Sequence, residues 1–141
     1  MKQKNYEPRY SRNLIEAILD PLVTINANGR IMDVNKAMTK ATDKSREILI
    51  NTNLTNYFVE KEKAKQFYTE VFSKGSVLNF PLTITDGVLT DVLVNGSIVK
   101  DEHGNIMGAV IVARDITELK KMENELTETK RTSELAALNN L

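Results

Sequence analysis

Apolar residues recur at helical spacing in some parts of this chain and alternate with polar residues in others, and these changes of period predict its elements. Residues 12–19 predict a short amphipathic helix, which ends at Asp20-Pro21 because a residue before proline disfavours helical backbone. The apolar face of this helix is made by Leu14, Ile15, Ile18 and Leu19. Residues 22–26 and 30–34 predict two short strands, and Asn28-Gly29 between them predicts a tight hairpin turn.

Residues 35–75 predict a block of helices. Asn35 and Asp43 are candidate N-caps for two short helical segments, at residues 36–41 and 44–49, whereas residues 51–57 are polar and loop-like. Residues 59–73 predict a longer amphipathic helix that closes at Gly75. The apolar face of the longer helix is made by Ala64, Phe67, Tyr68, Val71 and Phe72.

The second half of the chain predicts three longer strands, at residues 77–85, 88–100 and 106–113, joined by turns at Asp86-Gly87 and at residues 101–105. Their alternation directs one set of side chains towards the core: Phe80, Leu82, Ile84, Val92, Val94, Gly96, Ile98, Ala109, Ile111 and Ala113. The dipeptide Asn95-Gly96 would divide the middle strand if it formed a turn. We predict a continuous strand with a bulge or a close approach at Gly96, because the alternation continues beyond it.

The last predicted strand leads directly into a charged helix, and residues 104–119 therefore form a stiff strand-to-helix joint. Asp115 is a candidate N-cap, with Glu118 as its capping partner. In residues 117–138 a coiled-coil seam recurs at alternating steps of three and four residues, at Leu119, Met122, Leu126, Thr129, Ser133 and Ala136. We favour a parallel dimer of this helix over a solvated single helix, because a lone helix with so narrow an apolar stripe is marginal in water.

Composition and charge exclude several classes of function. The chain has 141 residues, a net charge of zero and no cysteine. Zero net charge gives no basic field for nucleic acid, and the missing cysteine removes disulfides, thiol nucleophiles and thioether cofactors. The sequence offers no serine–histidine–carboxylate set, no phosphate-binding glycine loop and no metal-ligand spacing, so we predict neither a catalytic nor a metal site. No apolar run reaches membrane-spanning length, which predicts a cytoplasmic domain, although its parent protein could be membrane-anchored.

The order of these elements resembles the PAS domain family of signalling sensors. The resemblance covers about residues 13–118 and is carried by five segments: Asp20-Pro21, residues 28–31, Asn35, residues 101–104 and the closing Asp115-Ile116-Thr117-Glu118. It implies an α+β fold, with a five-stranded antiparallel sheet, short helices on one face and a pocket between them for a small ligand. It also implies that the joint Asp115, Ile116 and Thr117 relays the state of that pocket. The expected organisation is a disordered leader (1–11), a sensor domain (12–118) and a C-terminal linker helix (119–141) cut before an effector.

The predicted lining of the pocket is mainly apolar, and such a set of residues is typical first of an ordinary core and only second of a ligand site. The apolar candidates are Phe67, Val71, Phe80, Leu82, Val92, Val94, Gly96, Ala109, Ile111 and Ala113, and the candidate polar anchors are Asn35, Thr39, Tyr57 and Tyr68. A flavin photoadduct needs a cysteine, and haem-binding members commonly use a histidine on the long helix, which has none here. The single histidine, His103, lies in a predicted solvated turn. A core without a tight cofactor is the first expectation, and an apolar or weakly polar small molecule is the second.

The resemblance implies a sensory module of a larger signalling protein, first of all a histidine kinase, with a diguanylate cyclase or a transcriptional regulator as alternative parents. A PAS module that only dimerises or binds proteins, without a ligand, is the competing hypothesis. We expect a homodimer that uses the N-terminal helix, the back of the sheet and the C-terminal helix. The back of the sheet is included because Val110 and Val112 make the last strand apolar on both faces.

Overall fold

A sheet with its helices inserted between the second and third strands forms the body of the protein. The computed structural model describes residues 15–139, with side chains as far as residue 129. The elements are β1 (Leu22–Ile25), β2 (Ile31–Val34), α1 (Lys36–Thr42), α2 (Arg46–Leu49), a 3₁₀ helix (Leu54–Tyr57), α3 (Lys61–Lys74), β3 (Ser76–Thr85), β4 (Leu89–Lys100), β5 (Ile106–Asp115) and α4 (Thr117–Asn139).

The five strands pair in the order β2-β1-β5-β4-β3, and each neighbouring pair is antiparallel. The last strand, β5, is therefore the central one, flanked by β1 and β4. The α+β class and the five-stranded antiparallel sheet expected from the resemblance are confirmed. Because β5 leads directly into α4, the helix leaves the protein from the centre of the sheet.

The alternating strand residues face the helices and form the core, as the sequence predicted. Leu82 and Ile84 of β3, Val92 and Val94 of β4, and Ala109, Ile111 and Ala113 of β5 are all buried. Phe67 and Val71 of α3 are fully buried among them. Burial of each large apolar side chain contributes roughly 1.5–3 kcal/mol, so this layer supplies much of the stability of the fold.

Strand β4 runs unbroken through Asn95 and Gly96, which confirms the continuous strand. Gly96 marks a close approach: a Cβ atom there would lie 2.6 Å from Val71 Cγ2. The bulge lies in the neighbouring strand instead, where the register shifts between Val77 and Phe80 and Asn79 takes a left-handed φ of 56°. Asn95 supports this bulge, because its Oδ1 accepts the Asn79 amide at 2.8 Å.

One predicted helix cap is confirmed and the other is wrong. Asn35 caps α1, because its Oδ1 accepts the Met38 amide at 3.0 Å. Asp43 ends α1 with a left-handed φ of 53° instead of starting the next helix, and α2 begins later, at Arg46. A short polar side chain such as that of aspartate tolerates the left-handed backbone, which makes the same residue type suitable for either end of a helix.

The N-terminal helix predicted at residues 12–19 ends two residues earlier than predicted. Residues 15–17 are helical, and Leu19 is 90% exposed instead of lying on a buried stripe. The Asn35 side-chain amide donates to the carbonyls of Ile18 and Asp20, at 3.1 and 2.9 Å, and fastens the chain that leads from this helix to β1. Leu14 and the predicted leader (1–11) lie outside the described residues.

Candidate ligand cleft and output joint

The space between the sheet and the helices, where the sequence predicted a pocket, is almost filled by side chains. A cavity of about 20 Å³ remains, lined by Pro21, Val23, Met38, Leu54, Tyr57, Phe58, Ile84, Ile111 and Ala113. This volume holds about one water molecule. Tyr57, Ile111 and Ala113 are the predicted pocket residues that line it. The small residues do not leave room for a ligand, because Phe67, Val71 and Ile111 occupy the space above Gly96.

The other apolar candidates pack into the same core. Leu82, Val94 and Ala109 are buried, and Phe80 is half-buried with its ring centroid 5.3 Å from that of Phe67. Val92 is buried as well, and it also lines the open cleft described below. These residues hold α3 on the sheet.

Three of the four candidate polar anchors are bonded to nearby protein groups. The Tyr57 hydroxyl lies 2.6 Å from Thr52 Oγ1, the Tyr68 hydroxyl donates to the Asn28 carbonyl at 3.4 Å, and the Thr39 hydroxyl donates to the Lys36 carbonyl at 2.7 Å. Tyr68 also packs over Gly29 in the first hairpin. The three hydroxyls therefore stabilise loops and helix ends.

Asn35, the fourth polar candidate, joins three segments of the chain. Its side chain is 1% exposed, and its Oδ1 accepts both the Met38 amide and the Leu22 amide at 3.0 Å. Its Nδ2 faces the carbonyls of Ile15, Ile18 and Asp20 at 3.4, 3.1 and 2.9 Å. The amide thus fastens the N-terminal segment, β1 and α1 to one another, and each of its polar atoms is bonded to protein groups.

An open cleft of about 450 Å³ adjoins the small inner cavity. It lies between the segment before β1, α1 and the turn from β3 to β4, and is lined by Leu19, Asp20, Pro21, Ala37, Lys40, Ala41, Ile84, Asp86, Val88, Thr90, Val92, Ala113 and Asp115. Pro21, Ile84 and Ala113 line both spaces, so the cleft reaches the end of the inner cavity. The volume falls within the range of roughly 300–1,000 Å³ that is usual for small-molecule sites.

The polar lining of the cleft was not predicted from the sequence. Three of the lining residues are acidic, Asp20, Asp86 and Asp115, and one is basic, Lys40. These residues come from four separate segments, and no local pattern brings them together. Asp86 was assigned only to a hairpin turn, which is where it lies.

The predicted signal joint connects this cleft to α4. Asp115 is the last residue of β5, and its Oδ1 accepts the Thr117 amide at 2.8 Å, so the side chain bonds the first residue of α4. The carboxylate also lies at the positive end of the helix dipole, which favours its negative charge. Asp115 is among the residues that line the cleft as well. One residue therefore belongs both to the cleft and to the start of the helix.

The first turn of α4 is also fastened to β4. Ile116 is buried, and its amide donates to the Asp91 carbonyl at 3.0 Å. The Asp91 carboxylate lies 3.1 Å from the Lys120 ammonium group. Neither Asp91 nor Lys120 stood out in the sequence, because polar residues at those positions are ordinary on a strand face and on a helix.

Beyond this first turn, the predicted seam of α4 faces solvent. The exposed fractions of Leu119, Met122 and Leu126 are 53%, 64% and 71%. The Thr129 hydroxyl donates to the Glu125 carbonyl within the helix at 2.9 Å. The side chains of Ser133 and Ala136, which complete the predicted seam, lie outside those that the structure describes.

The turn from β4 to β5 contains the single histidine, His103, and the carboxylate of Asp101. His103 is exposed and lies 3.7 Å from Glu102, as expected of a solvated turn residue. The Asp101 carboxylate accepts amides from Asn105 and His103, at 2.9 and 2.8 Å. The backbone hydrogen bond from Asn105 is the largest cause that lowers the pKa of Asp101, and further bonds from the Asn105 side chain and the His103 amide add to it.

Comparison with known proteins decides the family. The sequence profile of the PAS domain matches residues 19–118. This chain belongs to the PAS domain family. A curated relative, the sensor histidine kinase WalK of Bacillus subtilis (strain 168), is 32% identical over 123 residues, which cover 86% of this chain and 20% of the relative. The chain therefore spans only about a fifth of the length of that kinase.

Solved PAS domains share the fold. The PAS domain of a protein from Colwellia psychrerythraea is 20% identical, with a TM-score of 0.67, and the match covers 79% of this chain and 98% of that one. The PAS domain of BvgS from Bordetella pertussis is 16% identical, with a TM-score of 0.66, and the match covers 89% and 98% of the two chains. At these identities the likeness establishes the architecture and not the ligand.

Two further properties of this PAS domain bear on its function. PAS domains are sensory modules and generally not catalytic, and the described residues contain no cluster of acidic and histidine side chains that could hold a metal ion. Within residues 15–139, no helix combines the length and the apolar character needed to cross a lipid bilayer.

Proposed function

We propose that this PAS domain is a sensory module that passes the state of the cleft through Asp115, Ile116 and Thr117 into α4, and from there to an effector in the same protein. The observation that carries the proposal is the double position of Asp115. The residue is among those that line the cleft, and its side chain also bonds the first turn of the output helix. A ligand that draws on this carboxylate would compete with the Thr117 amide and loosen the start of α4.

The ligand is proposed to occupy the cleft and not the space between sheet and helices. The volumes support this choice, since the inner cavity measures about 20 Å³ and the cleft has the volume of a small-molecule site. Its lining combines apolar residues such as Pro21, Val92 and Ala113 with three acidic residues and one lysine. This lining fits a small molecule with an apolar body and a polar end.

The effector is proposed to be a histidine kinase. The supporting observations are the 32% identity to the sensor histidine kinase WalK and the fold shared with a PAS domain from a two-component sensor histidine kinase. With 23 residues, α4 extends roughly 35 Å at about 1.5 Å per residue, enough to carry a movement away from the sheet. A diguanylate cyclase or a transcriptional regulator would receive the signal through the same helix.

A protein-interaction or dimerisation module without a ligand is the second candidate. The filled core favours it, because the cavity beneath the helices holds about one water molecule. In this case the sheet and α4 would serve only to pair two copies of the chain. The two candidates differ in whether any small molecule stabilises the protein.

A metabolite screen by thermal shift, followed by native mass spectrometry of the hits on the full chain, tests the proposal. A ligand at 100 times its dissociation constant should stabilise the fold by about 2.7 kcal/mol. Ala41→Trp, which fills the cleft from α1, should abolish that stabilisation. Ala17→Trp, at an exposed position outside the cleft lining, should preserve it. Absence of any stabilising compound across the screen would favour the interaction module.

The relay is tested with a single introduced cysteine, since the chain has none of its own. In Leu126→Cys protein, the rate of disulfide crosslinking between copies should change when the ligand binds. Asp115→Ala should stay folded, show weaker ligand stabilisation and lose this change even at saturating ligand, whereas Asp115→Asn keeps the capping oxygen and should retain part of the change. Unfolding of the Asp115→Ala variant would show instead that the joint is merely structural.

A further inference from the structure

A line of polar side chains connects the start of α3 to the first turn of α4, across the face of the sheet where Thr83 and Asp91 are direct partners in the register of β3 and β4. Its members are Glu60, Thr83, Asp91 and Lys120, called the polar line below. Glu60 directly precedes α3, and Lys120 belongs to α4. The line lies apart from the cleft, since none of its members is among the cleft residues.

Asp91 is the member that holds α4. Its carbonyl accepts the Ile116 amide at 3.0 Å, and its Oδ2 lies 3.1 Å from the Lys120 ammonium group. Its Oδ1 is within 3.4 Å of the Thr83 hydroxyl. The side chain that fastens the helix is thus oriented in turn by a neighbour on β3.

Thr83 is tied equally to the segment before α3. Its amide donates to Glu60 Oε1 at 2.9 Å, and its hydroxyl lies 3.1 Å from Glu60 Oε2. The Val59 amide donates to the Thr83 carbonyl at 2.9 Å, which keeps this segment along the edge strand. A displacement of the α3 start therefore moves the partner of the Thr83 hydroxyl.

The Thr83 hydroxyl has one proton and two carboxylates within reach. It donates either to Glu60, at 3.1 Å, or to Asp91, at 3.4 Å, and rotation about one bond exchanges the two states. When the hydroxyl donates to Asp91, it orients the carboxylate that binds Lys120. When it donates to Glu60, the Asp91 carboxylate is released from this hydrogen bond. The side chains of Lys120 and Asp91 are about half exposed, so the ion pair between them contributes little to stability. Such a weak contact can form and break as the Thr83 hydroxyl changes its partner.

We infer that Thr83 is a positioning residue that couples the start of α3 to the docking of α4, through the choice its hydroxyl makes between Glu60 and Asp91. The inference rests on the proposed role of α4 as the output helix. This coupling would pass a change in core packing to α4 without involving the cleft, because Phe67 and Val71 of α3 pack on the sheet at Gly96. A change in core packing would move α3 and, with it, Glu60.

Amide hydrogen exchange of Ile116 and Lys120 in the full chain, measured by NMR without ligand, tests the inference. Thr83→Val removes the hydroxyl and should speed exchange at both amides by roughly two- to fivefold, the size expected of a half-exposed polar contact. Thr83→Ser keeps the hydroxyl and should exchange like the wild type. Thr85→Val, on the same strand and face, is the matched control and should leave both amides unchanged.

Glu60→Gln gives a prediction of opposite sign. With the charge on Glu60 removed, the hydroxyl should favour the charged Asp91, because hydrogen bonds to ionised acceptors are stronger. Exchange at Ile116 and Lys120 should then slow, and this slowing should vanish in the Thr83→Val background. Unchanged exchange in Glu60→Gln, or an effect that persists without the hydroxyl, would overturn the coupling. Because no ligand is used, failure of the metabolite screen would leave this result standing, and failure here would leave the cleft proposal untouched.

Discussion

At the scale of single residues, the surroundings of Gly96 show that side chains fill the space between the sheet and the helices. A Cβ atom at this position would lie 2.6 Å from Val71 Cγ2 and 2.9 Å from both Ile111 Cδ1 and Phe67 Cζ. We expect Gly96→Ala to destabilise the protein by about 1–3 kcal/mol, the usual cost of overpacking a core. Urea denaturation monitored by circular dichroism measures this change.

Val71→Ala is the partner substitution that tests the cause of the loss. Alone, Val71→Ala opens a small cavity and destabilises the fold. Combined with Gly96→Ala, it gives the new methyl group room, so the double variant should lose less stability than the sum of the losses in the two single variants. Ser97→Ala, at the neighbouring exposed position, is the control and should be nearly neutral. An unchanged stability of Gly96→Ala would mean that this part of the core is loose enough to admit a ligand.

Asn35 shows how much of a residue's role the sequence reveals. Its position before a helical segment predicted the cap, and the Met38 amide confirms it. The other contacts of its side chain, to the Leu22 amide and to the carbonyls of Ile18 and Asp20, join parts of the chain 13 to 17 residues away. A local pattern predicts a cap because a cap is local, and it carries no information about these distant partners.

At the scale of elements, the turn from β4 to β5 depends on one carboxylate. Asp101 accepts the amides of His103 and Asn105, and these bonds are stronger to its charged form. Because folding lowers the pKa of Asp101, its contribution to stability is present above the ordinary aspartate pKa, about 4, and is lost as pH falls through the lower folded value. We therefore expect the turn to weaken in acid.

NMR titration of the Asp101 carboxyl carbon should give a pKa below that of an unstructured aspartate. Asp101→Asn keeps a side-chain oxygen to accept the amides but does not titrate. In the wild type, the protection of the amides of residues 103–105 against exchange, relative to an unstructured chain at the same pH, should fall in acid, and in this variant it should not. Asp86→Asn, in the other hairpin turn, should leave that fall in place. A titration of Asp101 at or above the ordinary value would contradict the assignment.

The strands and their inward faces could be predicted because alternation and turn residues act over a few positions. The dipeptide Asn95-Gly96 was the hard case, and the alternation through Ile98 decided it correctly. Helix ends were less certain, since Asp43 suits a left-handed C-cap as well as an N-cap. The bulge at Asn79 was also missed, because its support comes from Asn95 on the neighbouring strand.

At the scale of the whole molecule, the cleft and the polar line could not be predicted from the chain alone. Asp20, Lys40, Asp86 and Asp115 meet only after β5 has entered the centre of the sheet between β1 and β4. The apolar candidates for the pocket were expected first of all to form an ordinary core, and they do, but the sequence also allowed that Gly96, Ala109 and Ala113 leave room for a ligand. Residue types predict which side faces inward, but the volume left over depends on how every neighbour packs.

The exposed seam of α4 predicts that two copies of the chain associate. Leu119, Met122 and Leu126 are more than half exposed and follow the steps of a coiled-coil seam. We expect the full chain to dimerise, and a chain ending at Glu118 to be more monomeric at equal concentration. Sedimentation velocity over a concentration series measures both.

Leu126→Lys should weaken this dimer by roughly 10²- to 10⁴-fold in dissociation constant, because it removes a large apolar side chain from each copy at about 1.5–3 kcal/mol apiece. Asn124→Lys adds the same charge to the same helix away from the seam, and should leave association largely unchanged. Equal sedimentation of the full and shortened chains would mean that α4 is a solvated helix. In that case α4 could carry a signal only through a change in the direction of the helix, and not through pairing with a second copy.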